Sequence, residues 1–295
     1  MNNLIENDLA YLGVEVKQIE TLHVLVETID IVKYVDVTNT PFNIYIAGGD
    51  AYGSIGMVTN TDVNMVATID PVNNKILLTS IPRDYYVELP GKGASDKLTH
   101  AGYYGIETSV KAVEELLDIE VNYYAKVNFS TVEKVIDAIG GVDVYNEKYF
   151  CAYGCDDICY EQGNIHLEGH RALMYARERH AFADGDVQRV KNQQKVLTAV
   201  IKKMTSSTTL ITNYSKILDS ISENFNTNLD NKSMVKLVKK QLSNMKGWTI
   251  ETQNLTGHDY YTYDTYTYPN LELYVMKQND ESVKSAREKI KEFKK

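Results

Sequence analysis

Residues 175–194 read YARERHAFADGDVQRVKNQQ, and within them lie Arg177, Arg179, Arg189, Asp186 and Gln193. Guanidinium groups recognise phosphate through a planar, bidentate fork. On a helix that starts at residue 186, Asp186, Arg189 and Gln193 follow i, i+3, i+7 and share one face. That face borders an apolar stripe of Val190, Leu197, Ile201 and Met204. Charges at the edge of a buried side need partners, because unpaired buried charge is costly. Arg177 and Arg179 lie just before a break at Gly185, so two segments can turn several guanidiniums toward one cavity. A structural ion-pair network would use the same residues, with Arg179 or Arg189 paired to Asp184, Asp186 or Glu178.

Two other stretches carry chemistry of the same kind. In TSIPRDYYV (79–87), Arg83 and Asp84 follow an apolar strand that Pro82 stops. Open α/β sheets bind ligands at the carboxyl ends of their strands. In GGDAYGSIGMVTNTDVNMV (48–66), Asp50 follows a strand and Gly48–Gly49, and Asp62 opens the next strand. Glycines let the backbone approach a ligand closely. Two carboxylates beside open backbone suit a Mg2+ that also takes phosphate oxygens. Taken one at a time these are weak signals. Together, two carboxylates, four arginines and a glutamine suit a single ligand, a metal-bound pyrophosphate.

The elements that must position these groups follow from periodicity. FNIYIAGGD, VNMVATID (63–70) and KILLTSI (75–81) read as strands, the last two joined by the turn DPVNNKI. Ile106, Val110, Val113 and Leu117 fall at helical spacing and predict a helix over 105–118. VNYYAKV (121–127) is a strand. Phe129, Val132, Ile136 and Ile139 mark a helix stopped by Gly140–Gly141. Further helices are expected at 168–177, 186–205, 207–222, 231–244 and 280–294, with strands near 247–253 and 271–276. Strands alternating with helices predict a three-layer α/β domain. Residues 1–40 read as a separate N-terminal or accessory remnant, with a strand-like LHVLVETI, and 41–295 as the main domain. The stretch 146–166 is a polar insertion.

Composition narrows the partners. A net charge of -9 over 295 residues argues against a nucleic-acid binder. No apolar run reaches the roughly 18–20 residues of a membrane span, and MNNLIENDLA lacks the build of a signal peptide. Cys151, Cys155 and Cys159 are spaced C-x3-C-x3-C, which matches neither zinc nor iron–sulfur patterns. A local disulfide with one spare thiol, or three ordinary thiols, is the simpler expectation. Tyrosine is over-used, with 22 Tyr against 6 Phe. YYTYDTYTY (260–268) is expected to be an exposed loop, with a glycan-stacking strip as the alternative.

Seven motifs, in order and in spacing, are similar to those of the LytR-CpsA-Psr family. They are GGDAYG, TDVNM, SIPRDYYV, KLTHAGYYG, NFSTVEKVIDAIGGVDV, LEGHRALMYARERH and GDVQRVKNQQ. The resemblance runs from about Asn43 to the end of the chain. It implies an α/β/α sandwich around a mixed central sheet, with an apolar tunnel for a lipid tail. It also implies a phosphotransferase that moves a wall glycopolymer (teichoic acid, capsule or a related glycan) from an undecaprenyl-pyrophosphate carrier to peptidoglycan. Such proteins work on the extracellular face of the cell membrane, held by an N-terminal helix. No such helix is in this sequence, and truncation is the expected reason. By motif, Asp50 and Asp62 are expected to hold Mg2+, and Arg83, Arg177 and Arg179 to grip the pyrophosphate. Asp186, Arg189 and Gln193 complete that pocket. The family's usual arginine two residues before the second aspartate is Asn60 here, and Lys97 is a candidate to replace it. A polyprenyl pyrophosphate hydrolase and a non-catalytic lipid- or glycan-binding module are the alternative functions. Phe129, Val132, Ile136, Leu197 and Ile201 are candidates to line the tunnel or to be ordinary core.

Overall fold

The computed structural model describes residues 35–53, 60–206 and 226–295. LHVLVETI and the helix expected over 207–222 lie outside the described residues, as does most of the expected 1–40 segment. From residue 35 onward the chain packs: Val37 is buried beside Phe42 and Tyr123.

Phe42–Gly48 (β1), Val63–Asp70 (β2) and Lys75–Ile81 (β3) form an antiparallel meander. Tyr86–Leu89 (β4) and Ala94–Lys97 (β5) make a hairpin that leads through one helical turn, Leu98–Ala101, to the helix Ile106–Leu117 (α1). Tyr123–Val127 (β6) precedes Phe129–Ala138 (α2), whose first turn is capped by the Asn128 side chain accepting from Thr131 N–H. Val142–Asn146 (β7), Phe150–Ala152 (β8), Cys155–Tyr160 (β9) and Gly163–Leu167 (β10) come next. The helices Gly169–Arg177 (α3) and Asp186–Met204 (α4) follow. Asn226–Thr227 (β11), Asn231–Asn244 (α5), Thr249–Asn254 (β12), Gly257–Thr262 (β13), Leu273–Gln278 (β14) and Asp280–Phe293 (α6) complete the described chain.

The main sheet has the order β11-β6-β1-β2-β3-β12. It is mixed, because β6 runs parallel to β1 and β12 parallel to β3. Side chains alternate across it with period two. Tyr45, Ala47, Val66 and Leu77 point to one face, where Val113, Leu117, Val283 and Ile290 of α1 and α6 cover them. Met65, Ala67, Ile76 and Leu78 point to the other, under Leu197 and Ile201 of α4. This is the expected three-layer arrangement. A further core cluster joins α2, α3, α4 and β7–β10 and holds Ile136, Phe150, Tyr160, Tyr175 and Val196.

The stretch 146–166 is not a featureless insertion. β8 and β9 pair as a hairpin, and β10 pairs with β7. Cys151 and Cys159 are disulfide-bonded across that hairpin, and Cys155 is the free thiol. YYTYDTYTY is likewise only part loop, since Tyr260–Thr262 lie in β13.

Candidate active site

The site forms at one edge of the main sheet, at the carboxyl ends of β1, β3 and β6. Gly49 N–H donates to Val127 O at 2.9 Å, and Asp62 N–H donates to Gly48 O at 2.7 Å. These bonds set Asp50 and Asp62 on neighbouring strand ends. A Cβ at Gly48 would sit 2.8 Å from Val63 Cβ, so only glycine lets the two strands meet there. Arg83 and Asp84 follow β3. Their carbonyls accept from Thr99 N–H (2.9 Å) and Met276 N–H (2.7 Å), which docks the β13–β14 hairpin against the site. Arg177 ends α3. Buried Glu178 then accepts from Tyr153 N–H (2.6 Å) and Ala181 N–H (2.8 Å), fixing the loop that carries Arg179. Gly185, at φ 48°, turns that loop into α4.

Three of the expected arginines converge on Asp186. Its carboxylate lies 2.8 Å from Arg189, 3.3 Å from Arg179 and 4.0 Å from Arg83. Arg83 also meets Asp62 at 2.7 Å and Asp84 at 3.5 Å, and Asp84 holds Lys97 at 2.8 Å. Arg177 pairs with Asp50 at 3.2 Å and stacks over Phe129, 4.1 Å from the ring centroid. Gln193 is half-buried on α4, and no hydrogen bond ties it to the cluster among the described residues. Its neighbour Gln194 is the buried amide, bonded to Ser80 Oγ (2.9 Å) and Asn254 Oδ1 (2.6 Å). Asn60 donates to the second Asp62 oxygen at 3.0 Å. It therefore braces the carboxylate that Arg83 also holds. Lys97 pairs with Asp84, which Arg83 also meets.

The electrostatics bear the marks of crowding. Burial pulls the Arg83 guanidinium down, but Asp62, Asp84 and Asp186 outweigh it and hold the group above its ordinary value. Arg189 ends below its ordinary value through burial first, with Arg83 and Arg179 adding to it against the attraction of Asp186. Arg83 Nε and Arg189 Nε are both buried without a hydrogen-bond partner. Arg83 Nε still has carboxylate oxygens of Asp84 at 3.5 Å and Asp186 at 4.0 Å beside it, so Arg189 Nε is the desolvated donor that is costly unless an acceptor arrives, and a phosphate oxygen is such an acceptor.

Asp50 and Asp62 fit a Mg2+ site of the open kind. Both offer oxygen, and among the described residues no group of three or more His, Cys, Asp or Glu is placed to hold a metal. Mg2+ binds through one or two carboxylates and completes its octahedron with water and phosphate.

Two neighbours of the cluster escape sequence reasoning. Lys97 Nζ lies 5.7 Å from the Tyr274 ring centroid. The Tyr274 hydroxyl is raised by burial first, then by its bond to Asp259 and the charges of Asp84 and Asp186. Tyr103 feels Asp62 in the same way. Neither lies at a diagnostic spacing from the arginines; β14 brings Tyr274 in from the far end of the chain.

Comparison with known proteins fits this geometry. The model of the LytR_cpsA_psr family matches residues 10–284. The chain belongs to the LytR-CpsA-Psr family. TagU of Bacillus mycoides, named a polyisoprenyl-teichoic acid–peptidoglycan teichoic acid transferase, is 40% identical over 200 residues. That match covers 68% of this chain and 64% of TagU, under two thirds of the relative's length. TagU of Enterococcus faecalis is 34% identical over 200 residues, 67% of this chain and 64% of that protein. The crystal structure of B. subtilis TagV superposes with a TM-score of 0.71 at 30% identity, covering 86% of this chain and 97% of TagV. A structure of TagT bound to LI-WTA superposes with a TM-score of 0.68 at 28% identity, covering 90% and 95%. The α/β/α sandwich around a mixed sheet is thus the family's fold.

Proposed function

We propose that this chain transfers a glycopolymer of the teichoic-acid type from a polyprenyl-pyrophosphate carrier to peptidoglycan. The observation that carries this reading is the convergence of Arg83, Arg179 and Arg189 on Asp186, with Arg189 Nε buried and without a hydrogen-bond partner. Such a cluster suits a pyrophosphate better than any neutral ligand. The relatives' printed names support the substrate class.

An acceptor hydroxyl attacks the sugar-linked phosphorus. A phosphodiester forms, the bond to the bridging oxygen breaks, and polyprenyl phosphate leaves. Arg83, Arg179 and Arg189 offset the charge that gathers on the leaving phosphate. Asp186 and Asp62 hold those arginines in place. Arg177, stacked on Phe129, adds a guanidinium on the Asp50 side. Asp50 and Asp62 would hold Mg2+, which when bound neutralises phosphate charge. Asp50, with its side chain 47% exposed, is the carboxylate we assign to the acceptor's proton. Leu197 and Ile201 of α4, facing Ile44 and Ile46 across the far side of the sheet, are the residues we assign to the prenyl tail. Val132 and Ile136 pack in the separate α2–α4 cluster, and Phe129 serves Arg177 instead. The reaction would take place on the outer face of a cell membrane.

The test is direct. Purified protein, Mg2+, a polyprenyl-pyrophosphate-linked polymer and purified peptidoglycan are combined, and polymer on peptidoglycan is measured against polyprenyl phosphate released. Equal yields of both support transfer. Phosphate release with no polymer on peptidoglycan, or tight donor binding with no turnover, overturns it in favour of a hydrolase or a binding module.

A further inference from the structure

The segment after β12 inverts the usual preference for what a chain buries. Thr262 and Thr265 are turned inward at 9% and 3% exposure, while Tyr261, Tyr263, Tyr266 and Tyr268 are turned outward at 63%, 59%, 41% and 43%. Tyrosine is ordinarily intermediate in burial and threonine mostly exposed. Here hydroxyls are spent on the interior and rings on the surface.

The rings do not ride on a slack loop. Buried Asp96 accepts from Thr267 N–H at 2.7 Å and pairs with His100 Nδ1 at 2.7 Å. Tyr266 N–H donates to Ser95 O at 3.1 Å, and Leu271 N–H to Tyr268 O at 3.3 Å. The rings brace one another: Tyr104 meets Tyr266 edge-on at 5.5 Å, and His100 meets Tyr268 at 5.4 Å and Tyr103 at 5.4 Å. A surface already ordered loses little more entropy when a ligand arrives.

This surface runs into the charged cluster at two points. The helical turn that leads to Tyr103 is tied to the cluster, since Thr61 N–H donates to Thr99 O at 3.2 Å and Thr99 N–H to Arg83 O at 2.9 Å. Tyr261 packs on Tyr274 at 5.7 Å, and Tyr274 faces Lys97. The charge around the rings selects the occupant. Asp259, Asp264 and Glu272 are exposed on the same segment, while Lys92 and Lys277 sit over Tyr104 (4.8 Å) and Tyr260 (3.7 Å). Exposed carboxylates repel an anionic polymer and the acidic headgroups of a membrane surface. They do not repel an uncharged sugar chain. A tyrosine offers a flat face for the C–H side of a pyranose and a hydroxyl for its polar rim.

We propose that the outward tyrosines Tyr103, Tyr261, Tyr263, Tyr266 and Tyr268 form the docking platform for the acceptor, an N-acetylated glycan strand of peptidoglycan. The strand's sugars stack along the rings, and its reacting hydroxyl is delivered to the phosphate held by Arg83. This assignment rests on the transferase reading for the identity of the glycan.

The experiment is sedimentation of the protein with peptidoglycan sacculi stripped of wall polymer, with phosphatidylglycerol vesicles in parallel. Tyr263→Ala/Tyr268→Ala is expected to weaken sacculus binding about tenfold or more, because two ring contacts together amount to roughly 1.4 kcal/mol. Tyr263→Phe/Tyr268→Phe, which keeps the rings, should stay within about threefold of the parent by the same arithmetic. Thermal unfolding checks that each variant is folded; if the alanine pair is not, Tyr261→Ala/Tyr263→Ala replaces it. Undiminished sacculus binding by a folded alanine variant overturns the platform, and so does binding that is lost to vesicles and kept on sacculi. Arg83→Ala separates the two proposals. It should end transfer while leaving sacculus binding intact, so a failed platform leaves the transferase reading standing. Transfer that survives Arg83→Ala undiminished removes Arg83 from the phosphate site, and parent protein that puts no polymer on peptidoglycan sinks the transferase reading itself.

Discussion

Arg83 Nη1 lies 2.7 Å from Asp62 Oδ1, a contact that ties the end of β3 to the start of the antiparallel strand beside it. One carboxylate thereby orients the guanidinium that we assign to the phosphate. Asn60 holds the other Asp62 oxygen at 3.0 Å.

Arg83→Ala is expected to lower the rate of transfer by about 10²–10³-fold, the loss typical of a preorganised charge-stabilising group. Arg83→Lys should recover little of it, because an ammonium cannot reproduce the fork that reaches Asp62 and Asp186 together. With its side chain 29% exposed, Arg83 contributes modestly to folding, so urea unfolding should shift by no more than about 1 kcal/mol. Arg179→Ala should behave alike. Full activity in both alanine variants refutes the pocket.

Asp50→Asn and Asp62→Asn are each expected to weaken Mg2+ binding, read by calorimetric titration, and chelation by EDTA should stop transfer. Asp62→Asn also frees Arg83, and Asp50→Asn frees Arg177 and removes the assigned proton acceptor, so both should lower transfer. Asn60→Arg should raise donor affinity or leave it unchanged. A large loss there would mean that the Asn60 bond to Asp62 has no substitute.

Asp96 gives the fold a signature at acid pH. Burial pushes its carboxyl up, but bonds from His100 and Thr267 outweigh burial and hold it below the usual carboxylate value. A carboxyl with a depressed folded pKa stabilises fully above its unfolded value, about 3.9, and that stability is lost as the pH falls through the folded value. Asp96→Asn should therefore cost about 1–3 kcal/mol at neutral pH, with the gap from the parent closing below about pH 4. Urea midpoints at three pH values measure this. A gap that stays constant with pH rules out the ionised pairing.

Reduction of Cys151–Cys159 is expected to destabilise the chain by roughly 2–3 kcal/mol, the loop-closure value for so short a loop. The hairpin it closes presents Tyr153 N–H to Glu178, between two site arginines. Glu178→Ala should thus lower both stability and transfer, measured by thermal melts and turnover with and without reductant. Identical melts in the two redox states would leave the disulfide without this role.

Much of this architecture is legible in the residues. The short, largely apolar runs VNMVATID and KILLTSI, and the helical spacing of Ile106 to Leu117, name elements that form as expected. Asp50, Asp62, Arg83 and Arg189 lie at strand ends or a helix start, and Arg179 lies in the loop between α3 and α4. The short hairpins β4–β5 and β8–β9 are harder to see, since β4, β5 and β8 have only three or four residues, too few positions for a period to show. Gln193 and Gln194 differ in what they meet. Spacing puts Gln193 on the arginine face, and α4 is covered by two clusters, with Val196 in one and Leu197 in the other. The amide that meets the sheet is that of Gln194. Tyr274 is invisible in advance because a backbone bond, Met276 N–H to Asp84 O, brings it in.

That same backbone bond governs when the protein becomes competent. A ribosome supplies every arginine of the cluster well before it supplies Met276, so the nascent chain holds its charged residues without the hairpin that backs Asp84. Breakdown products ending ahead of residue 257 lack the hairpin and leave Asp84 O without the Met276 N–H.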